Sequence, residues 1–377
     1  MLHRPTCKTV LVVLGVILIG AAVAAAAEEV TTLEIGAKAP DFALRGVDGK
    51  VHRLSEYNEA KVLVIVFTCN HCPTAQAYEE RVKKLAGDYK DKGVVLVAIS
   101  PNDPKAVRLD ELGYTDVGDS LDEMKIRAKA HGFNFPYLYD GDTQEVSKAY
   151  GPMATPHVFV FDAERKLRYV GRVDDNERQR PDKVTTSDAR NAIEAVLAGT
   201  PVPVEKTRTF GCSIKWSDKR ESARQALAKW AREPVAVEGI DLNGVKALLK
   251  NDSNDLRLVN IWSTHCPPCV AEFPDLVEIN RMYRGREFQM VGINVEGPSE
   301  RSGVISFLKK NEASFKNTIY DGDPYALIET VDPKWPGAIP FTLLIQPGGK
   351  VVYSQLGMID PLEMKKVIVE HLGRTYK

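Results

Sequence analysis

Leu258-Val-Asn-Ile-Trp-Ser-Thr-His-Cys-Pro-Pro-Cys-Val-Ala-Glu-Phe-Pro274 decides how this chain reads. An apolar run of the kind found in a strand buried on both faces passes into a Cys-x-x-Cys turn, and a helical pattern follows. Val62-Leu-Val-Ile-Val-Phe-Thr-Cys-Asn-His-Cys-Pro73 repeats the design upstream. Cysteines three apart beside a helix N-terminus can close a small disulfide ring. The unpaired N–H groups and the positive end of the helix dipole favour a thiolate at the first sulfur, and the thiolate is the species that attacks disulfides. Such a pair closes too short a loop to be a useful staple. Cys69, Cys72, Cys266 and Cys269 are therefore expected to react rather than to brace.

Working outward, the chain has 377 residues, enough for two domains at about 150 residues each. At 44% hydrophobic and 27% charged it is ordinary for a globular protein. A net charge of −1 with no basic half speaks against a nucleic-acid partner. In residues 1–27, Arg4 and Lys8 precede an apolar run from Val10 to Ile19 and a small-residue stretch at Ala25-Ala-Ala27. This reads as a signal peptide, with an uncleaved N-terminal anchor as the alternative. Either way the body is expected to be exported, periplasmic or otherwise extracytoplasmic, touching a membrane only through that segment. Beyond Cys7 the chain keeps two Cys-x-x-Cys pairs and one odd thiol, Cys212, too few for a disulfide-stapled scaffold.

The rest of the chain repeats itself. Tyr139-Asp-Gly-Asp142 returns as Tyr320-Asp-Gly-Asp323, and the strand opened by Pro156 returns as Pro340-Phe-Thr-Leu-Leu-Ile345. Aligning the first cysteines, Cys69 with Cys266, gives an offset of 197 residues. Strands alternate with helices in both halves, including a helix expected from Ser120, capped with Glu123, to Gly132. Thr200-Pro-Val-Pro203 is a stiff break. The expected division is 1–27 signal or anchor, 28–200 first domain, 201–234 linker carrying Cys212, and 235–377 second domain.

Both halves resemble the thioredoxin superfamily. The first, from Ala39-Pro-Asp-Phe42 to about Gly199, is similar to redoxins of the AhpC/TSA family, through Thr68-Cys-Asn-His-Cys-Pro73 and Gly171-Arg-Val-Asp-Asp-Asn176. The second is similar to the TlpA/ResA branch of membrane-associated thiol:disulfide oxidoreductases, through Val259-Asn-Ile-Trp-Ser-Thr-His-Cys-Pro-Pro-Cys and Glu272-Phe-Pro274. The resemblance implies an α/β chain of two tandem thioredoxin-like domains. Each has a central mixed sheet flanked by helices and an insertion between the Cys-x-x-Cys helix and a cis-proline strand. It places the cis-prolines at Thr155-Pro156 and Ile339-Pro340, with Gly171 and Gly357 beside the substrate grooves. The buried acid that thioredoxins carry six residues before the first cysteine is replaced by Leu63 and Asn260.

The expected activity is thiol–disulfide exchange with exported protein thiols and disulfides, fed by a membrane-bound electron donor. It needs no cofactor beyond redox-active disulfides. Cys69 and Cys266 are the expected nucleophiles, Cys72 and Cys269 the resolving thiols, and Cys212 an auxiliary thiol or a buried small residue. His71 either stabilises a thiolate or faces solvent in the turn; His265 is expected near the second groove, at the surface. A zinc site would need both pairs to converge from separate domains, so no metal is expected. Two alternatives stay open: a thiol peroxidase in the first domain built on Cys72-Pro73-Thr74, and a non-enzymatic adaptor or metallochaperone.

Overall fold

The computed structural model describes residues 30–176 and 183–376; the 1–27 segment lies outside them. In chain order, the first half contains β1 (Ala43–Gly46), β2 (Val51–Arg53), β3 (Val62–Phe67), α1 (Pro73–Tyr89), β4 (Val94–Ser100), α2 (Leu121–Ala130), β5 (Tyr137–Tyr139), α3 (Glu145–Tyr150), β6 (Ala154–Thr155), β7 (His157–Phe161), β8 (Leu167–Gly171) and α4 (Asp188–Leu197). Then come β9 (Cys212–Ser213) and α5 (Arg220–Trp230). The second half contains β10 (Glu238–Ile240), α6 (Leu242–Lys250), β11 (Leu256–Trp262), α7 (Pro267–Tyr283), β12 (Phe288–Asn294), α8 (Arg301–Lys310), β13 (Lys316–Tyr320), α9 (Pro324–Val331), β14 (Phe341–Ile345), β15 (Val351–Leu356) and α10 (Pro361–Leu372).

Two mixed sheets result. The first runs β2-β1-β5-β4-β3-β7-β8 and the second β10-β13-β12-β11-β14-β15. In each, the strand feeding the cysteines is central, parallel to one neighbour (β3 to β4, β11 to β12) and antiparallel to the other (β3 to β7, β11 to β14). The reason is in the sequence. Every residue of Val62–Phe67 is apolar and sealed from solvent, and alternation sends successive side chains to opposite faces. Val62, Val64 and Val66 meet Tyr78, Val82 and Leu85 of α1 with Ala192 and Ile193 of α4. Leu63, Ile65 and Phe67 meet Tyr150, Phe159 and Phe161. β11 divides likewise, Leu258 and Trp262 packing on Phe273 and Leu276 of α7, Val259 and Ile261 on the other side.

The connection between β4 and α2 is the insertion expected between the cysteine helix and the cis-proline strand. Its C-terminal end enters α2 through a reciprocal cap, Glu123 N–H to Ser120 Oγ at 3.3 Å and Ser120 N–H to Glu123 at 3.1 Å. Its middle docks on the second half. Leu109 and Leu112 pack against that half's core, Tyr283 donates to Thr115 O at 2.7 Å and Arg286 to Gly113 O at 2.7 Å. Asp116 pairs with Arg374 at 2.6 Å.

Gln144, at φ 60°, precedes α3. Asp174 is buried, with Arg81 and the Tyr78 hydroxyl holding its carboxylate at 2.7 and 3.0 Å. Residues 201–234, read as a linker, are no bare connection: Val170 N–H donates to Glu205 O, Thr207 N–H to Val170 O, and β9 pairs with β6. Among the described residues no helix is long and apolar enough to cross a membrane.

Candidate active site

Proline at the first position of a helix loses nothing by lacking an N–H, and in both halves a Cys-Pro dipeptide starts the helix. Cys72 is the N-cap of α1, its Sγ accepting the Ala75 N–H at 3.4 Å. Cys266 is the N-cap of α7, its Sγ accepting the Cys269 N–H at 3.3 Å. The peptide bonds Thr155-Pro156 and Ile339-Pro340 are cis. Cys72 Sγ lies 3.3 Å from Thr155 O and Cys266 Sγ 3.5 Å from Ile339 O. The sulfur that corresponds to Cys266 is therefore Cys72. The first helix starts three residues later in its motif than the second, leaving Cys69 on the preceding turn and Ala75 where the second half has Cys269.

The first site is enclosed. Cys69 and Cys72 are 3% and 0% exposed. Cys69 Sγ hydrogen-bonds Thr155 Oγ1 at 3.1 Å. His71, one of whose two expected settings was solvent, is buried with Nδ1 2.6 Å from Asp119 Oδ2. Asp119 also accepts from Asn70 N–H at 2.8 Å and Asn102 Nδ2 at 2.7 Å. Burial works against the imidazolium, but the Asp119 charge and hydrogen bond outweigh it, so His71 titrates above its ordinary value. Burial pushes the Cys72 thiol up; hydrogen bonds from Cys212 and Cys69, the His71 charge and the Ala75 N–H overcome this and hold it well below the usual thiol range. Cys69 goes the other way, raised by burial and by its Cys72 and Asp119 neighbours. Capping geometry and hydrogen bonding thus favour a thiolate at Cys72 over Cys69, whereas the sequence pointed to Cys69.

Ligand atoms of Cys69, His71 and Asp119 lie within 4.8 Å of one another, close enough to hold a metal ion. His71 and Asp119 are already spent on each other. Cys212 approaches from the far side, its N–H donating to Cys72 Sγ at 3.3 Å. Gly171 is not among the groups bonded to the sulfurs; an added Cβ there would stand 2.0 Å from Thr207 Oγ1, so it serves the packing of the chain after α4.

The second site is open. Cys266 and Cys269 form a disulfide; Cys269 is buried, Cys266 half-buried, and Pro267 and Pro268 are exposed. His265 lies at the surface, its Nδ1 3.1 Å from Glu296 Oε1 and its side chain 77% exposed. Glu296 also accepts from the Ser263 and Thr264 hydroxyls at 2.6 and 2.7 Å, fixing the turn before the cysteines. Gly357 N–H donates to Pro340 O at 2.9 Å, placing it beside the cis-proline. Behind the disulfide, Asn260 Nδ2 donates to Glu272 Oε1 at 2.9 Å and to Thr342 Oγ1 at 3.0 Å. Glu272 Oε2 accepts from Ile359 N–H at 2.9 Å. Burial raises this carboxyl, against those two hydrogen bonds. Glu272 is one turn beyond Cys269, on the same helix face. Sequence reasoning missed it by looking for an acid before the cysteines; a Glu among the apolar positions facing the core was the signal.

Residues 35–170 match the AhpC/TSA family and residues 240–368 the Redoxin family. The thiol-disulfide oxidoreductase ResA of Geobacillus thermodenitrificans is 28% identical over 142 residues, 38% of this chain and 71% of its own length. A solved structure of an uncharacterized conserved protein from Geobacillus kaustophilus is 42% identical, covering 49% of this chain and 93% of its own, with a TM-score of 0.44. A hypothetical protein from Sinorhizobium meliloti is 36% identical, covering 50% and 97%, also with a TM-score of 0.44.

Proposed function

With an AhpC/TSA-family domain in front and a Redoxin-family domain behind, the chain belongs to the thioredoxin superfamily twice over, and we propose that it exchanges disulfides with proteins outside the cytoplasm, using two sites. It is an oxidoreductase of the thiol-disulfide type, like the ResA relative named above. The observation that carries the two-site reading is the shared setting of Cys72 and Cys266, each capping a helix and each within 3.5 Å of the carbonyl before a cis-proline. Export rests on the cation-led apolar stretch in residues 1–27.

At the second site the half-buried Cys266 is the sulfur a partner can reach. In the oxidised form a partner thiolate attacks Cys266 Sγ, the Cys266–Cys269 bond breaks, and Cys269 leaves as a thiolate that takes its proton from Glu272, one turn along the same helix. A second partner thiolate then attacks the partner's sulfur in the mixed disulfide and frees Cys266. The partner ends oxidised by two electrons and the chain holds a dithiol. In reverse, reduced Cys266 attacks a partner disulfide and Cys269 resolves it, with Glu272 taking up the Cys269 proton. The returning electrons come from a membrane-bound donor in this proposal.

Insulin reduction with dithiothreitol tests the reading. Cys266→Ser is expected to abolish the second-site turnover, and Cys269→Ser to hold insulin chains covalently on Cys266. Wild-type rates in both variants would refute exchange at this site. A second reading applies to the first site, whose sulfurs are sealed against a folded partner: reduction of small hydroperoxides by Cys72. Peroxide consumption that Cys72→Ser removes and Cys266→Ser leaves intact would favour it.

A further inference from the structure

β9 pairs antiparallel with β6, Thr155 opposite Cys212 and Ala154 opposite Ser213. The chain thus lays its own extended strand, carrying a cysteine, along the cis-proline edge of its own first site. The fit is close. At Gly211, φ is +140° and an added Cβ would lie 2.0 Å from Thr155 O, a position only glycine can take. Thr209 Oγ1 donates to Pro156 O at 2.9 Å upstream, and Lys215 N–H to Asn102 Oδ1 at 2.9 Å downstream. At the second site the matching edge is bare: among the described residues no strand pairs with 337–339, and Ala338 is exposed.

We infer that β9 is a built-in substrate strand, and that Cys212 forms a disulfide with Cys72 that latches the first site shut. This rests on the exchange chemistry proposed above. Cys72 thiolate attacks one sulfur of an incoming disulfide and expels the other as a thiolate. Cys212 thiolate then attacks Cys72 Sγ and expels the remaining substrate sulfur. The chain loses two electrons and two protons, and the two released thiols carry them away. Geometry permits the second step, since the Cys212 nitrogen, three bonds from its own sulfur, is 3.3 Å from Cys72 Sγ. The hydrogen bond to Cys72, first among the influences that raise the Cys212 thiol, with burial next, disappears once Cys72 is in a mixed disulfide.

Cys69 competes for the same sulfur. A Cys69–Cys72 disulfide leaves β9 with no covalent tie, held by two residue pairs with β6 and the flanking Thr209 and Lys215 hydrogen bonds, which a partner strand can replace. The two disulfide isomers have the same oxidation level but opposite access: latched with Cys212, open with Cys69.

The test oxidises the full chain with glutathione disulfide, quenches with acid, alkylates, and maps cross-linked peptides without reduction. Wild type is expected to yield a Cys72–Cys212 peptide. In Cys69→Ser it is expected to become the main form of Cys72, with Cys212 alkylation falling about tenfold, as a thiol held beside its target competes at high effective concentration. The latch is overturned if Cys72 pairs only with Cys69 or glutathione while Cys212 stays fully alkylated, an outcome that leaves the exchange reading standing. If Cys72 is never oxidised, both fall at this site. The wild-type arm needs no substitution, so a misfolded variant cannot decide the result.

Discussion

His71 Nδ1 stands 2.6 Å from Asp119 Oδ2 with both side chains closed off from solvent. Removing one member of a buried pair strands the other, at about 3–5 kcal/mol. His71 is raised in the folded chain, so its contribution is complete below about pH 6.5 and is lost as pH rises through the raised value. Asp119 is lowered, burial being overcome by His71, so its contribution is present above about pH 3.9 and is lost as pH falls through the lowered value. Urea unfolding is therefore expected to show a stability plateau between these limits that falls on both sides. In Asp119→Asn the plateau should drop and the alkaline decline vanish; the same profile in both proteins would contradict the pair.

The helix-capping sulfur should also be the reactive one. At pH 6, alkylation followed residue by residue is expected to be fastest at Cys72. It should slow in Asp119→Asn, by about tenfold for each unit by which that thiol is carried above pH 6. Cys69→Ser should keep Cys72 reactive, whereas Cys72→Ser should leave Cys69 inert. A Cys69 that reacts first would return the nucleophile to the earlier position.

At the second site, Glu272→Gln keeps the acceptor for the Ile359 N–H but cannot exchange a proton with Cys269. Insulin reduction is expected to fall about 10²-fold, the scale of one acid–base group, and its dependence on pH to flatten. Because burial raises the carboxyl, its contribution to stability is present below the unfolded value and is lost as pH rises through the folded one. At pH 7 the variant should melt no lower than wild type. A large drop in melting temperature would mean that Glu272 is structural and that the lost turnover reports unfolding.

Gly211→Ala tests the closeness of β9 to Thr155. A Cβ at φ +140° and 2.0 Å from a carbonyl oxygen cannot be absorbed without moving the strand, at a cost of about 1–3 kcal/mol. Hydrogen exchange at Cys212 and Ser213 should rise, and alkylation of Cys72 should accelerate at unchanged pH. Unchanged exchange at both residues would show that the strand tolerates the methyl group.

Much of this was legible beforehand. The apolar runs at Val62–Phe67 and Leu258–Trp262, the Ser120 cap and the repeated prolines carry local patterns with direct physical causes. The register of the first site was not read correctly, because aligning first cysteines gives an offset of 197, whereas aligning Cys72-Pro73 with Cys266-Pro267 gives 194. The proline that starts the helix was the better guide. Asp119 offered no such signal: it touches His71 only because the insertion folds back, a contact 48 residues apart in sequence. The pairing of Cys212 with Thr155 is equally remote.

The insertion that ends in Asp119 is gripped on its other side by Tyr283, Arg286 and Arg374. The carboxylate that charges the first site is thus held in place partly by residues of the second half. A duplication usually yields modules that are independent of one another, but in this chain the first leans on the second. Recombination cutting the chain near residue 200 would deliver a first site whose own sequence is intact and whose acid has lost its footing.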